Sequence, residues 1–299
     1  MENYNILSLD GGGVKGLIVL EQLITLEREL GTCIKNRFNL ISGTSTGGII
    51  AVLLALGLTP SELLKLYTIH SDSIFKKRFL RFGIFRPKYS DIFLNSVIKN
   101  YVGDKTLKDL DIDVIITGYN ASTNQKIIFK SRNAKLDDTY NYSLFDVIRS
   151  SVSAPTYFKP HKIGDEYFID GGMVINNPSM ISWTESLKYC IGMNINILSF
   201  STGRIKINFS KIINGGVLSW TKPTVAILLK EQSKTTDYHM NELFKREPGV
   251  YVRCESIIDK SNGKIDDASN ENIDNMIADG VKSSMVNYDK IKYFCSKIN

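Results

Sequence analysis

Two glycine-rich turns, each lying between a short apolar strand and an apolar helix, constrain the fold of this chain more than any other feature. The first turn, residues 10–13, follows a β-prone run at residues 5–9 and precedes residues 17–30, whose apolar side chains recur at helical spacing. The second begins at Gly43, after a strand predicted at residues 38–42, and leads into another apolar helix, predicted at residues 49–56. Strands alternating with helices favour a mostly parallel central sheet that is covered on both faces. The sequence therefore predicts a three-layer α/β/α fold.

The rest of the chain continues this alternation, with no repeat and no low-complexity linker to divide it. In chain order, the predicted elements are a strand at residues 114–119, a strand at 125–130 that pairs with it, a helix at 145–153, a hairpin of 161–163 with 167–169, and a strand at 195–199. We therefore expect a single domain over residues 1–299, with a motif-bearing core at about residues 5–280.

Composition is that of an ordinary globular protein, with 43% hydrophobic and 23% charged residues. The longest uninterrupted apolar run, residues 49–56, is too short to span a bilayer. The four cysteines contain no Cys-x-x-Cys pair, so neither a zinc site nor a disulfide framework is indicated. The first residues lack the pattern of a secretory signal. We expect a cytoplasmic protein that uses no metal and no cofactor.

Residues 75–89, called here the basic-aromatic segment, have the most uneven charge in the chain. The whole chain carries a net charge of +6, and this segment alone contains six cations and no acid. Its cations are Lys76, Lys77, Arg78, Arg81, Arg86 and Lys88, with aromatic residues interleaved. Such a pattern is typical of a surface that contacts an anionic membrane or a nucleic acid. A solvated basic face whose aromatic side chains point into the core would look the same, and both interpretations stay open.

The second glycine-rich turn contains a candidate nucleophile, Ser45. The run Gly-Thr-Ser-Thr-Gly at residues 43–47 fits the pattern Gly-x-Ser-x-Gly between a strand and a helix, the setting of a nucleophile elbow. Gly43 and Gly47 are needed because larger side chains would clash at so tight a turn. The helix that follows directs its positive N-terminal end at the serine. A tight turn without any chemistry is the alternative interpretation.

The first turn has the sequence Asp-Gly-Gly-Gly-Val-Lys-Gly at residues 10–16, which exposes backbone N–H groups without side-chain cover. Gly-x-Gly-x-x-Gly between a strand and a helix is also typical of a dinucleotide site, but that site requires an acidic residue at the end of the next strand. Here the next strand runs directly into the serine turn. We therefore interpret Gly11, Gly12 and Gly13, called here the glycine loop, as donors of an oxyanion hole.

A serine nucleophile needs a base, and the chain contains three histidines, His70, His161 and His239. His239 fits the chain order of a Ser–Asp–His triad, but no strand precedes it. The alternative base is Asp170, because the strand that ends there can bring its carboxylate to the same edge of the sheet as Ser45. The residues alone leave both bases open.

Together these segments resemble the patatin-like acyl hydrolases. The resemblance rests on Asp-Gly-Gly-Gly-Val-Lys-Gly, Gly-Thr-Ser-Thr-Gly-Gly and Ile-Asp-Gly-Gly-Met-Val-Ile-Asn-Asn-Pro, and it covers about residues 5–280. It implies a catalytic dyad of Ser45 and Asp170 that works without histidine or metal, with oxyanion donors in the glycine loop. The supporting motif positions are Lys15, Gly16, Gly43, Gly47, Gly171 and Gly172. Many members of the family carry arginine where this chain has Lys15, so a bidentate contact to a substrate anion is not available there.

The function that this resemblance implies is hydrolysis of fatty-acyl esters of lipids through an acyl-enzyme intermediate. That reaction covers phospholipase A, lysophospholipase and galactolipase activities. The implied partner is a membrane or micellar lipid, with peripheral membrane contact and no nucleic acid. The alternative is a catalytically silent module that binds lipid or nucleic acid through the basic-aromatic segment. Nothing in the motifs specifies the head group, the acyl position or the acyl-chain length.

Overall fold

The computed structural model of the chain describes residues 2–76, 86–203 and 212–298. Its strands are β1 (Asn3–Leu9), β2 (Leu40–Thr44), β3 (Asp113–Asn120), β4 (Gln125–Lys130), β5 (His161–Ile163), β6 (Glu166–Asp170), β7 (Asn194–Phe200) and β8 (Tyr251–Cys254). Its helices are α1 (Gly16–Leu30), α2 (Thr46–Ala55), α3 (Pro60–Ile74), α4 (Asp91–Val102), α5 (Ser131–Leu136), α6 (Leu144–Val152), α7 (Ser179–Ser186), α8 (Val217–Leu243) and α9 (Asn270–Ile298). Among these helices, none is both long enough and apolar enough to cross a membrane.

Within the described residues, the strands form one sheet in the spatial order β5-β6-β3-β2-β1-β7-β8, and β4 also pairs with β3. The strands β3, β2, β1, β7 and β8 run parallel to one another. By contrast, β4 and β6 pair with β3 in the antiparallel sense, and β5 and β6 form a hairpin. The predicted pairing of residues 114–119 with 125–130 and the predicted hairpin are both confirmed.

Helices cover both faces of the sheet, which follows from the alternation of side chains along each strand. Leu7 and Leu9 of β1 belong to one buried cluster, together with side chains of α1, α2, α3, α4, α6 and α9. Tyr4 and Ile6 of the same strand point to the other face, where Met240 of α8 and partly buried residues of α7 pack. The predicted three-layer α/β/α fold is confirmed.

Local sequence signals set the ends of several helices. Thr59 and Glu62 form a capping box before α3: the N–H of Thr59 donates to Oε2 of Glu62 at 2.8 Å, and the N–H of Glu62 donates to Oγ1 of Thr59 at 3.3 Å. Gly31 ends α1 in the left-handed conformation, with φ 63°. The end of α1 agrees with the helix predicted at residues 17–30.

Two predicted boundaries beside the serine turn are shifted. The strand predicted at residues 38–42 is observed at Leu40–Thr44, and the helix predicted from residue 49 begins at Thr46. The apolar run marks only the part of α2 that lacks polar side chains, so hydropathy places the start of the helix too late. As a result, α2 begins directly after Ser45.

One edge of β3 brings the end of β2 and the end of β6 together. Because β4 pairs along the opposite edge and overlaps both of them, β2 and β6 share this edge. On it, Thr44 lies opposite Thr117, and Asp170 lies opposite the next residue, Gly118. Since Ser45 directly follows Thr44, the two residues predicted to form the dyad come to neighbouring positions.

The basic-aromatic segment is described only at its two ends, because residues 77–85 lie outside the described residues. At the far end, Tyr89 is buried and its ring packs edge-on against Phe75, with 5.2 Å between the ring centroids. Lys88 forms an ion pair with Asp266. Core packing is therefore the right interpretation for Tyr89, and the function of residues 77–85 stays a prediction.

Candidate active site

The predicted nucleophile Ser45 lies at a sharp turn between β2 and α2. Its φ of 52° and ψ of −120° are unusual for a residue with a side chain, and such strain is typical of a nucleophile elbow. Both flanking positions have room only for glycine. A Cβ at Gly43 would lie 2.1 Å from the carbonyl oxygen of Gly47, and one at Gly47 would lie 2.3 Å from that of Leu9. Close backbone packing thus holds the serine at the end of β2.

Asp170 lies beside Ser45 and accepts a hydrogen bond at each carboxylate oxygen. Oγ of Ser45 donates to Oδ2 of Asp170 at 2.7 Å, and the N–H of Gly172 donates to Oδ1 at 2.7 Å. Burial raises the pKa of Asp170 to about 6, and these two hydrogen bonds act against the rise. The carboxylate is therefore more basic than an exposed aspartate, yet it remains mostly ionised at neutral pH.

The glycine loop borders the same site, but one of its three N–H groups is already engaged. The N–H of Gly11 donates to the carbonyl oxygen of Asn176 at 3.2 Å, whereas those of Gly12 and Gly13 have no acceptor within the described part of the chain. A Cβ on Gly11 would lie 3.3 Å from Cβ of Ser45, so the loop approaches the serine closely. Of the three predicted oxyanion donors, Gly12 and Gly13 are therefore the two whose N–H groups have no acceptor among the described residues.

Two further motif glycines allow the segments of the site to pack against each other. A Cβ at Gly171 would lie 2.3 Å from Oγ1 of Thr117 in β3, so glycine lets the turn after Asp170 lie on the sheet. A Cβ at Gly16 would lie 2.6 Å from Oγ1 of Thr46, at the start of α2. The turn after Asp170 is therefore in direct contact with β3, and the start of α1 is in direct contact with the start of α2.

Lys15 is buried at the start of α1 and lines the same cavity as Ser45. Its Nζ donates to the carbonyl oxygen of Gly203 at 3.1 Å. Burial lowers the pKa of Lys15 to about 8, although the nearby Asp10 favours the charged form. In this structure Lys15 joins the first turn to the segment that follows β7.

The three histidines lie away from the dyad. All three belong to the described part of the chain. One of them, His161, pairs elsewhere, with its Nε2 2.7 Å from Oδ1 of Asp146. None of them lines the cavity that contains Ser45. The alternative of a triad with His239 therefore has no support in the geometry.

A cavity of about 1420 Å³ opens around Ser45 and Asp170. Away from these polar groups its walls are mostly apolar and come from α2, α3, α4 and α6. Apolar lining residues include Ile49, Leu53, Leu66, Ile74, Leu94, Val97, Ile98, Ile148 and Val152. A polar reacting end joined to an apolar space fits a ligand that carries an apolar chain beside a polar group.

Two residues that hold the site were missed by sequence reasoning. Oγ of Ser151 in α6 accepts the N–H of Ser45 at 2.9 Å. Asn176, whose carbonyl binds the glycine loop, also donates from Nδ2 to Oγ of Ser233 in α8 at 2.9 Å. The serine-rich run before Pro155 and the two asparagines before Pro178 are local signals, but their partners are distant in the sequence. Nothing local identifies those partners.

Comparison with known sequences assigns this arrangement to a family. The sequence profile of the patatin-like phospholipase family matches residues 7–183, which is more than half of the chain. The chain belongs to the patatin-like phospholipase family. The match contains the glycine loop, the serine turn and Asp170. Membership places the chain among lipid hydrolases.

Individual relatives extend the similarity beyond the matched residues. Patatin-like protein 2 from Oryza sativa subsp. indica is 27% identical over an alignment that covers 92% of this chain and 82% of that protein. A cGAMP-activated phospholipase from Vibrio cholerae is 34% identical over an alignment that covers 71% of this chain and 64% of that protein. The crystal structure of VipD from Legionella pneumophila has a TM-score of 0.50 at 14% identity, covering 97% of this chain and 67% of that one. The last similarity concerns the fold alone.

Proposed function

We propose that this patatin-like protein hydrolyses fatty-acyl esters of lipids, with Ser45 as the nucleophile and Asp170 as the general base. The observation that carries the proposal is the 2.7 Å hydrogen bond from Oγ of Ser45 to Oδ2 of Asp170 at the polar end of an apolar cavity. Membership of the family supplies the class of substrate, a lipid. The apolar walls offer an environment for an acyl chain beside the serine.

The reaction consists of two displacements. Oγ of Ser45 attacks the carbonyl carbon of the ester while Asp170 accepts the hydroxyl proton, which gives a tetrahedral intermediate. Asp170 then returns the proton to the leaving alcohol as the C–O bond breaks, and an acyl-enzyme remains. Water deprotonated by Asp170 attacks this acyl-enzyme, and the fatty acid leaves as Ser45 recovers its proton.

Stabilisation of the negative charge on the carbonyl oxygen is assigned to two backbone groups and one helix. The N–H groups of Gly12 and Gly13 are the candidate donors, and the positive N-terminal end of α2 begins at the residue after Ser45. Because these groups belong to packed backbone, they need little reorganisation when the charge appears. The raised pKa of Asp170, about 6, makes proton transfer from the serine easier than it would be with an ordinary aspartate.

The dyad is tested by fatty-acid release from phospholipid vesicles and by cleavage of a short-chain soluble ester. Asp170→Asn keeps the size of the side chain but removes the base, so both rates should fall by about 10²- to 10⁴-fold. Ser45→Ala should reduce both rates to background. His239→Ala is the control, and its rates should stay within about twofold of the wild type because the ring lies outside the cavity. Efficient hydrolysis by folded Asp170→Asn would overturn the dyad.

The proposal includes peripheral contact with a lipid surface, because long-chain lipid esters reside in membranes and micelles. Three exposed apolar residues support it: Met173 and Val225, which line the cavity and are 42% and 39% exposed, and Leu228 of α8, which is 61% exposed. We call these three residues the apolar rim. The next residue of α8, Leu229, lies close to the turn after Asp170, since a Cβ on Gly172 would be 3.5 Å from its Cδ2. The rim therefore adjoins the opening through which a lipid would reach the serine.

A further inference from the structure

A buried ion pair lies directly behind the glycine loop. Arg253 of β8 donates from Nη1 to Oδ1 of Asp10 at 2.8 Å and from Nη2 to Oδ2 at 2.5 Å. The side chains are almost completely buried, with 5% of Arg253 and 3% of Asp10 exposed. A planar guanidinium that contacts both carboxylate oxygens determines the orientation of the carboxylate as well as its distance.

Arg253 is itself held in place by neighbouring groups. Its Nη1 also donates to Oγ of Ser199 at 2.6 Å, and its Nε donates to Oε1 of Glu255 at 3.2 Å. Ser199 belongs to β7, which pairs with both β8 and β1. Three adjacent strands thus anchor the carboxylate of Asp10, the residue that follows β1 and begins the first turn.

Several other contacts hold the glycine loop near its candidate donors: the N–H of Gly11 donates to the carbonyl oxygen of Asn176 at 3.2 Å, and the N–H of Lys15 donates to that of Gly12 at 3.3 Å. The carbonyl oxygen of Gly11 accepts a hydrogen bond from Oγ1 of Thr202 at 2.6 Å, and the N–H of Val14 donates to the carbonyl oxygen of Ile265 at 3.0 Å. The N–H groups of Gly12 and Gly13, which have no acceptor among the described residues, lie between the contacts at the Gly11 carbonyl and the Val14 N–H. Their direction depends on these contacts together with how the chain enters the loop at Asp10, whose own N–H donates to the carbonyl oxygen of Phe200 at 3.1 Å.

The ion pair also controls the charge beside these donors. Burial raises the pKa of Asp10, and the guanidinium of Arg253 acts against that rise. An unpaired carboxylate at this place would either protonate and lose its fixed orientation, or remain charged and repel the oxyanion that forms nearby. Pairing with Arg253 avoids both outcomes.

We propose that Arg253 is a positioning residue for the reaction. Through its contact with both oxygens of Asp10, it orients the N–H groups of Gly12 and Gly13 toward the substrate carbonyl oxygen and neutralises the carboxylate beside them. This role rests on the proposed function, because it requires an oxyanion at the glycine loop. Arg253 lies outside residues 7–183, the part of the chain that the family profile matches.

Steady-state kinetics of Arg253→Met and Arg253→Lys on a soluble short-chain ester test this role. Methionine removes the donors but keeps an apolar stem, so we expect kcat to fall about 100-fold, as after loss of an oxyanion donor, with KM changed less than about twofold. Lysine keeps the charge but cannot contact both oxygens in the same plane, so the expected loss of kcat is about tenfold. Affinity for a trifluoromethyl ketone, which forms an anionic tetrahedral adduct with serine, should fall in parallel with kcat.

Arg132→Met is the control, because it removes a guanidinium–carboxylate pair that is remote from the site; this arginine is more exposed than Arg253, at 43% of its side chain. Nη2 of Arg132 lies 2.6 Å from Oδ2 of Asp113, the first residue of β3, whereas Ser45 follows the last residue of the parallel strand β2. The two pairs therefore lie toward opposite ends of the sheet. Arg132→Met should lower the melting temperature while kcat and inhibitor affinity stay within about twofold of the wild type.

A purely structural role for Arg253 would overturn the proposal, and it has a distinct signature. Arg253→Met would then lower the melting temperature but keep kcat within about threefold, as a substitution away from the reacting groups does. If this variant does not fold, Arg253→Lys decides by the same criterion: reduced kcat at constant KM supports the role, and wild-type kcat contradicts it. Failure of the proposed function looks different, since the wild type would then neither cleave the ester nor react with a fluorophosphonate at Ser45.

Discussion

Asp170 combines burial with two hydrogen bonds, and the balance between these effects determines how well it can act as a base. Burial disfavours the charged carboxylate, whereas the donors on Ser45 and Gly172 stabilise it, and the resulting pKa is about 6. A carboxylate with the ordinary pKa of about 4 would be a weaker base for a serine hydroxyl. A fully neutral carboxyl could not accept the proton at all. The observed environment lies between these extremes.

The pH dependence of activity should therefore report the state of Asp170. As the pH falls through about 6, the carboxylate becomes protonated and can no longer accept the proton of Ser45. Below that midpoint, kcat/KM for an uncharged soluble ester should decrease about tenfold per pH unit. The measurement is the profile of kcat/KM between about pH 4 and pH 8. A midpoint near pH 4, the ordinary range for aspartate, would contradict this prediction. It would mean that water solvates the carboxylate of Asp170 in the free enzyme.

At the scale of secondary-structure elements, β3 aligns the two halves of the dyad and close backbone contacts keep them aligned. The ends of β2 and β6 meet neighbouring residues of β3, so a shift of either strand by one residue would separate Ser45 from Asp170. On the other side, α2 approaches the end of β1 at Gly47, where a Cβ would lie 2.3 Å from the carbonyl oxygen of Leu9. The helix, the glycine loop and the dyad therefore depend on one another's positions.

Substitution of Gly47 by alanine should displace α2, the glycine loop and the dyad from one another. The added Cβ would meet backbone atoms, which cannot rotate away, so we expect a loss of about 2 kcal/mol or more in the free energy of unfolding, and reduced turnover. Urea unfolding and kcat on a soluble ester measure both effects. The control is Gly216→Ala before α8, where an added Cβ meets no described atom within 4 Å and stability should change by less than about 0.5 kcal/mol. Wild-type stability and activity in Gly47→Ala would contradict this account of the packing.

Some of this site could be predicted from sequence because its signals are local. Ser45 is recognisable since a strand, a tight turn and a helix follow one another within a short stretch, and Asp170 since a strand ends there in two glycines. The contact of Gly11 with Asn176 and that of Arg253 with Asp10 join residues distant along the chain. No local pattern encodes such pairings, because they depend on strand order and register. Hydropathy places the start of α2 too late for a different and local reason, because residues 46–48 of the helix lie outside the apolar run.

At the scale of the whole molecule, the proposed function requires an apolar path from a lipid aggregate to Ser45, and the apolar rim and the cavity are the parts of the molecule that provide it. A lipid ester must leave an aggregate and bring its carbonyl to Ser45 while its acyl chain moves from one apolar environment into another. The rim residue Leu228 is 61% exposed beside the helix face that lines the cavity. Burying such a side chain against lipid on contact is favourable, by about 1.5–3 kcal/mol for complete burial.

Replacement of Leu228 by serine should therefore weaken binding to phospholipid vesicles by at least about tenfold. Flotation with vesicles measures this best in a Ser45→Ala background, which leaves the lipid intact. Met285→Ser is the control, because Met285 of α9 is 73% exposed but does not line the cavity, and its replacement should leave binding unchanged. Equal losses in the two variants would mean that the rim is not the contact surface. No loss in either would mean that other residues dock the protein.

The central claim, that Asp170 activates Ser45 as the nucleophile, is tested most directly by mass spectrometry after reaction with a fluorophosphonate. The wild-type protein should gain a single adduct, on the peptide that contains Ser45. Folded Asp170→Asn should form that adduct at least about 100-fold more slowly, because the hydroxyl has lost its base. An adduct on another residue, no adduct on the wild type, or equal rates in the two proteins would contradict the claim.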